Sequence, residues 1–288
     1  MSSVVNLLTV DLEEWFVAEA FADRFARDDW NSLPSTVVQN THRLLDLFHS
    51  HNLSATWFVL GWVAEKYPAL VSEIAGQGHE IACHSYSHVR ADRMSPDAFR
   101  KDTEMAIDSL VKATGKRPNG YRAPSWSVNQ STPWVFDILA ELGFVYDSSV
   151  FPIKHDIYGV PDGPRVAFEM NCESGRTLHE LPASTVRLFG KNVPVAGGGF
   201  FRHSPYWYSK YLIKRLNRHN RPAMFYVHPW ELDPDPPRLE GLDWRQRMRA
   251  YGATSVLQNK IARLLSDFEF TSITDWLGID RPRPIGFR

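Results

Sequence analysis

The feature that most constrains this sequence is a repeated alternation. Short apolar runs that read as strands are followed by amphipathic stretches that read as helices, and the runs end in ionisable residues. Residues 4–10 form one such run, which stops at acidic residues; bounded this way, it predicts a buried strand. Pro34-Ser35-Thr36 then opens a helical pattern in which Val37, Val38, Thr41, Leu44, Leu45 and Phe48 recur at three- and four-residue spacing. Residues 55–60 and 80–83 are the next strand candidates, separated by a short helix over 68–75 that Gly76 and Gly78 close. Ser95-Pro96-Asp97 starts a helix that runs to Thr114 before Gly115, with Ser as the cap and Pro at the first helical position. A strand at 120–122, a helix opening at Ser131-Thr132-Pro133 and stopping at Gly143, and a strand at 144–146 continue the series.

Residues 150–200 are richer in Gly and Pro, with short alternating pieces at 177–181 and 193–196, and read as an insertion of loops and hairpins. Ser204-Pro205 opens another helix, 223–227 is a strand ending at His228, 254–268 is an amphipathic helix, and a last strand lies at 270–273. About seven strands alternating with helices predict an α/β fold, a distorted, incomplete (β/α)7 barrel. No internal repeat or interdomain linker interrupts it, so residues 1–288 read as a single domain, with the insertion at about 150–200 and a C-terminal helical extension at about 231–288. In such barrels chemistry gathers where strands end and loops begin.

The strand ends supply Asp11, Glu13 and Glu14, then His84 and His88, then Arg122, Asp147 and His228. His84 and His88 are four apart, a spacing that can turn both imidazoles toward one ion. With 11 His in 288 residues the pair alone is near chance, and its place directly after a strand is what gives it weight. Cys83, beside it, is expected to point away and pack as a thiol. Asp11 and Glu13, two apart on an extended segment, face one side; two carboxylates there call for a cation or a proton between them. The alternative reading of the acidic segment, strongest for Glu14, is the positive end of a following helix. His228, as a catalytic group, needs a partner to hold its tautomer, and Asp147 is the candidate.

Composition removes several function classes. A net charge of −1 lacks the basic footprint of a dedicated nucleic-acid binder. Two cysteines, Cys83 and Cys172, are too few for a disulfide framework and read as free thiols. The N-terminal residues reach acid by position 11 without a basic start, so no signal peptide is expected; no apolar stretch approaches a membrane span, and the expected compartment is the cytoplasm or the inner membrane surface. Ten Trp suit a sugar-binding cleft, although large cores use Trp too.

Taken in order, these residues resemble the five motifs of the NodB-like polysaccharide deacetylases, carbohydrate esterase family 4. Thr9-Val10-Asp11-Leu12-Glu13 matches the acidic first motif, His84 to His88 the histidine motif, Arg122-Ala123-Pro124 the Arg-x-Pro motif, Asp147-Ser148-Ser149 the Asp-x-Ser motif, and Tyr226-Val227-His228 the last. The first motif departs from the usual adjacent aspartates. Asp11-Leu12-Glu13-Glu14 looks like the arrangement in a subgroup associated with exopolysaccharide loci, which also carries an element like that at residues 197–202. The resemblance implies a divalent metal, expected to be Zn2+, on Glu13, His84 and His88, with Glu14 as the alternative acidic ligand. It implies Asp11 as general base, His228 oriented by Asp147 as general acid, Arg122 holding Asp11, and backbone N–H groups near Ser125 or Trp126 facing the oxyanion. Trp126 and Trp230 are candidate sugar contacts or packing residues. The implied reaction is removal of an N-acetyl or other N-acyl group from an amino sugar, in a saccharide or lipid-linked intermediate. A deformylase or cyclic-amide hydrolase on the same scaffold, and a non-catalytic carbohydrate-binding protein, are the alternatives.

Overall fold

The computed structural model describes residues 4–21, 24–156 and 158–279. In chain order the elements are β1 (Asn6–Leu12), α1 (Val37–Ser50), β2 (Thr56–Val59), α2 (Gly61–Lys66), α3 (Pro68–Gly76), β3 (Glu80–Cys83), α4 (Pro96–Thr114), β4 (Gly120–Tyr121), α5 (Trp134–Glu141) and β5 (Tyr146–Asp147). They continue with β6 (Phe168–Asn171), β7 (Thr177–Glu180), β8 (Thr185–Leu188), β9 (Lys191–Pro194), α6 (Gly198–His203), α7 (Tyr206–Asn217), β10 (Met224–Val227), α8 (Trp244–Tyr251), α9 (Leu257–Asp267), β11 (Phe270–Thr271) and α10 (Ile273–Leu277).

The local signals act as their chemistry requires. Ser95 Oγ accepts from the Ala98 N–H at 3.2 Å, and Gly115 ends α4 at φ 70°, a left-handed cap that costs glycine little. The apolar stripe of α1 is buried through Val37, Leu44, Leu45 and Phe48. All seven residues of β1 are buried, as befits a parallel strand covered on both faces.

The main sheet runs β10-β1-β2-β3-β4-β5-β7-β6, with β11 also paired to β1. From β10 to β7 every neighbouring pair is parallel, and β6 lies antiparallel on β7. The seven parallel strands from β10 to β7, with β11 also parallel to β1, form an open, curled sheet, the incomplete barrel that the alternation predicts. Two features were not read from the sequence. The helix α2 is too short to show a period, and β7 joins the parallel sheet from within residues 150–200, where β8 and β9 form a separate hairpin. Residues 280–288 of the expected C-terminal extension lie outside the described residues.

Alternation along β1 sorts its side chains. Leu8, Val10 and Leu12 join the large outer cluster under the helices, whereas Leu7 joins an inner cluster with Phe58, Trp126, Tyr146, Phe151 and Tyr226. Thr9 and Asp11 share the inner face with Leu7. Parallel strands bring their C-terminal ends to one rim, and the inner cluster is the floor beneath it.

Candidate active site at the barrel rim

The histidine loop after β3 is shaped by α4. Ser85 and His88 both take left-handed conformations, at φ 59° and 56°, which are costly for residues with a Cβ. Asp102 of α4 offsets that cost by accepting the N–H groups of Tyr86 (2.8 Å) and Ser87 (3.1 Å) and the Ser87 hydroxyl, while Ser85 Oγ accepts from the His88 N–H at 3.1 Å. The loop therefore turns both imidazoles back onto the end of β1. His84 Nδ1 donates to the Arg122 carbonyl at 2.8 Å, which leaves Nε2 as the free lone pair facing inward.

Glu13 meets them there. Its Oε2 lies 2.7 Å from His88 Nε2 and 3.6 Å from His84 Nε2, and its Oε1 accepts from the Trp230 ring N–H at 3.1 Å. The three donor atoms lie within 4.8 Å of one another, and among the described residues this is the set able to hold a metal ion. Around a tetrahedral ion bound at about 2.0–2.2 Å, ligand atoms stand roughly 3.3 Å apart, so separations of 2.7 and 3.6 Å are of the size an ion held between these atoms requires. Burial alone would raise the Glu13 carboxyl, but His88, His228 and His84 outweigh it and hold it well below the usual carboxylate range. Glu14 points elsewhere: it accepts from the Ser35 hydroxyl and from the Thr36 N–H at 3.2 Å, and so ties the entry to α1.

Asp11 is fixed by a fully buried Arg122. Nη1 donates to Asp11 Oδ1 at 2.6 Å and to Thr9 Oγ1 at 3.0 Å; Nε and Nη2 donate to the Ser148 carbonyl (3.2 Å) and hydroxyl (3.1 Å). The guanidinium also lies over the Phe58 and Trp126 rings. Asp11 Oδ2 remains turned toward His228, whose Nε2 is 3.8 Å from it and 3.9 Å from Glu13 Oε1.

The partner of His228 differs from the expectation. Its Nδ1 lies 3.0 Å from Glu231 Oε2, not on Asp147, and Glu231 Oε1 faces Arg202 Nη1 at 3.6 Å. Asp147 sits on β5, separated from β10 by β1 to β4, and takes the Ser149 hydroxyl at 2.6 Å. Burial works against a charged imidazole, but Glu13, Glu231 and Asp11 raise the His228 pKa to about 9. Glu231 is in turn held below its ordinary value, because Arg202 and His228 outweigh its burial. Sequence reasoning missed Glu231, Arg202 and Asp102. Glu231 was findable, since His228-Pro229-Trp230-Glu231 has the spacing of a capping box, with Pro at the first position and an acid at the third.

A cavity of about 400 Å³ opens over these groups, lined among others by Asp11, Glu13, His84, His88, His228 and Trp230. Ser125 and Trp126 also line it, at φ 53° and 50°, a strained pair at the rim. Ser125 Oγ donates to Glu19 Oε2 at 2.6 Å, and Trp126 packs on Phe151 and Tyr226 with 5% of its surface exposed, so most of that ring is packing. Trp230 stacks on His228 at 5.1 Å. Cys83 is fully buried away from the cavity, and burial pushes its thiol far up.

The rim of an incomplete parallel barrel thus gathers a Glu-His-His triad, an arginine-held aspartate and a carboxylate-held histidine over one cavity. Residues 28–146 match the family model described as polysaccharide deacetylase, and residues 148–278 match one described as a domain of unknown function, DUF3473. The peptidoglycan deacetylase of Helicobacter pylori is 34% identical over 108 residues, 38% of this chain and 36% of that protein, so the likeness spans about a third of the relative's length. Family model and relative together show that part of the chain, residues 28–146 for the family model, is similar to polysaccharide deacetylases. Among solved structures, one from Mycobacterium smegmatis described as a polysaccharide deacetylase shares the fold over 98% of this chain and 95% of its own, with TM-score 0.57 and 22% identity. An allantoinase shares it at TM-score 0.59 and 17% identity, over 95% of this chain and 89% of its own. The same scaffold thus carries different names, and the residues of the site, not the fold, decide the reaction.

Proposed function

We propose that the protein is a metal-dependent hydrolase that removes N-acetyl or other N-acyl groups from an amino sugar. The observation that carries this reading is the position of His228 Nε2, 3.8 Å from Asp11 and 3.9 Å from Glu13, which brings a histidine and a carboxylate together beside the Glu13-His84-His88 cluster. Glu13, His84 and His88 would hold the cation, and a zinc ion there supplies Lewis-acid polarisation of an amide oxygen and acidifies water. Asp11 Oδ2 accepts the proton of the attacking water; Arg122, bonded to Oδ1, keeps this carboxylate aimed. His228, its Nδ1 proton held by Glu231, presents Nε2–H to the departing sugar nitrogen. The turn at Ser125 and Trp126 offers backbone N–H groups to the oxygen that gains charge, and Trp230 and Trp126 form walls for the sugar ring.

The reading extends to the substrate. The element at residues 197–202 and the Asp11-Leu12-Glu13-Glu14 segment support the subgroup associated with exopolysaccharide loci. The substrate is then a saccharide or lipid-linked intermediate of polysaccharide biosynthesis, met in the cytoplasm or at the inner membrane surface. Among the described residues no helix is long and apolar enough to cross a membrane.

The test is acetate and formate release from a panel of N-acylated sugar nucleotides, lipid-linked sugars and oligosaccharides, with zinc added and removed. Zinc-dependent release that Asp11→Asn and His228→Ala abolish supports the reading. Release that survives both substitutions overturns it.

A further inference from the structure

Behind the rim lies a second pair of acids that the proposed chemistry does not use. Asp147 on β5 and Glu180 on β7 are register partners in a parallel ladder, both with no exposed surface. Each carboxylate has one oxygen engaged from outside the pair. Asp147 Oδ1 accepts the Ser149 hydroxyl at 2.6 Å, and Glu180 Oε1 accepts the Val150 N–H at 3.0 Å. The remaining oxygens, Asp147 Oδ2 and Glu180 Oε2, are buried and find no other donor among the described residues. Two ionised carboxylates cannot face each other in a dry interior without a cation or proton between them.

We propose that Asp147 and Glu180 share one proton, and that Glu180 is a positioning residue acting through Asp147, Ser149 and Arg122 on Asp11. The route is continuous. Ser149 Oγ donates to Asp147 and accepts the Ala123 N–H at 2.8 Å, fixing the backbone next to Arg122. Ser148, one residue back, takes two bonds from the Arg122 guanidinium and donates to the Leu181 carbonyl at 2.9 Å, one residue beyond Glu180. A doubly charged pair would push β5 and β7 apart and slacken both anchors, whereas a shared proton draws the strands together.

The surrounding charges agree. Burial pushes both carboxyls up, and the charge of Asp147 adds to the effect on Glu180; Arg122 opposes it but is committed to Asp11. Tyr121, next to Arg122, is driven well up and stays neutral. Asp137 of α5, which packs on β7, accepts from the Glu173 N–H, and Glu169 of β6 faces solvent beside His179.

The positioning role rests on the proposed hydrolase reading; the shared proton does not, and the two are tested apart. A carboxyl that binds its proton more tightly when folded contributes stability that is full below the unfolded Glu value, about 4.3, and is lost as pH rises through the folded value. Urea midpoints of the full chain and of Glu180→Gln, whose amide donates without titrating, should therefore diverge as pH rises from about 4 to 8. The infrared band of a protonated carboxyl at neutral pH should weaken in the variant. A midpoint difference that stays constant with pH, or an unchanged band, overturns the shared proton; Asp147→Asn supplies the same readings if Glu180→Gln does not fold. For the positioning role, Glu180→Ala should lower kcat about tenfold or more with little change in KM, and Glu180→Gln should recover most of that loss. Equal kcat in all three proteins overturns it. If no substrate is turned over at all, the hydrolase reading fails while the two proton readings still decide the pair.

Discussion

One oxygen of Glu231 holds His228 at two points: Oε2 accepts from Nδ1 at 3.0 Å and from the backbone N–H at 3.1 Å. The ring thus has one direction, with Nε2 toward Asp11 and Glu13. Replacing Glu231 with Ala should lower kcat by about 10²- to 10⁴-fold, the range for losing a general acid, while zinc affinity changes little because no metal ligand is touched. Steady-state kinetics beside a zinc titration decides; a large loss of zinc binding with intact turnover would sink the assignment.

The two neighbouring glutamates separate cleanly. Glu13→Gln should weaken zinc binding by about 100-fold or more, whereas Glu14→Gln, in a residue bonded to Ser35 and Thr36, should bind zinc as the unmodified chain does. Chelator competition measures both. Weak binding in Glu14→Gln alone would reverse the ligand assignment.

Asp11→Asn keeps the shape and removes the base. Zinc should still bind, and release of the acyl group should fall by about 10³-fold.

Arg122→Lys retains the charge but not the fork that reaches Asp11, Thr9 and Ser148 together. A less stable protein, by about 2–4 kcal/mol in urea unfolding, and a marked loss of kcat are expected, because a buried ammonium cannot satisfy every partner left behind. A lysine variant with the original midpoint and rate would show that the fork is dispensable.

Gly197 has φ 110°, and a Cβ built there would stand 2.3 Å from the Tyr226 ring, which belongs to the floor of the site. Gly197→Ala should cost about 1–3 kcal/mol and displace Tyr226, lowering both the urea midpoint and turnover.

How much of this was readable beforehand depends on the range of each interaction. The elements followed from local signals, as at Ser95 with Gly115 and at the stripe of α1. The gathering of Asp11, Glu13, His84, His88, Arg122 and His228 followed from one rule, that parallel strands end at a common rim. Which rim residues touch depends on sheet order, which the sequence does not state. Asp147 and His228 both end strands, yet four strands separate them, so the pairing expected between them was taken by Glu231, three residues from His228. Trp126 was expected to meet sugar or to pack; its 5% exposure shows mostly packing. Asp102 was invisible because nothing local marks a mid-helix aspartate as the clamp of a distant loop.

The pairing of β10 beside β1 has a temporal consequence. Trp230 and Glu13 are bonded across 217 residues, and His228 reaches the ion-binding triad by the same pairing. A chain leaving the ribosome exposes Glu13, His84 and His88 long before the strand that carries the acid is made. A partly synthesised or truncated protein can thus own all three residues of the proposed ion site and still be inert, and the proposed hydrolysis switches on only when the first strand is finally flanked on both sides.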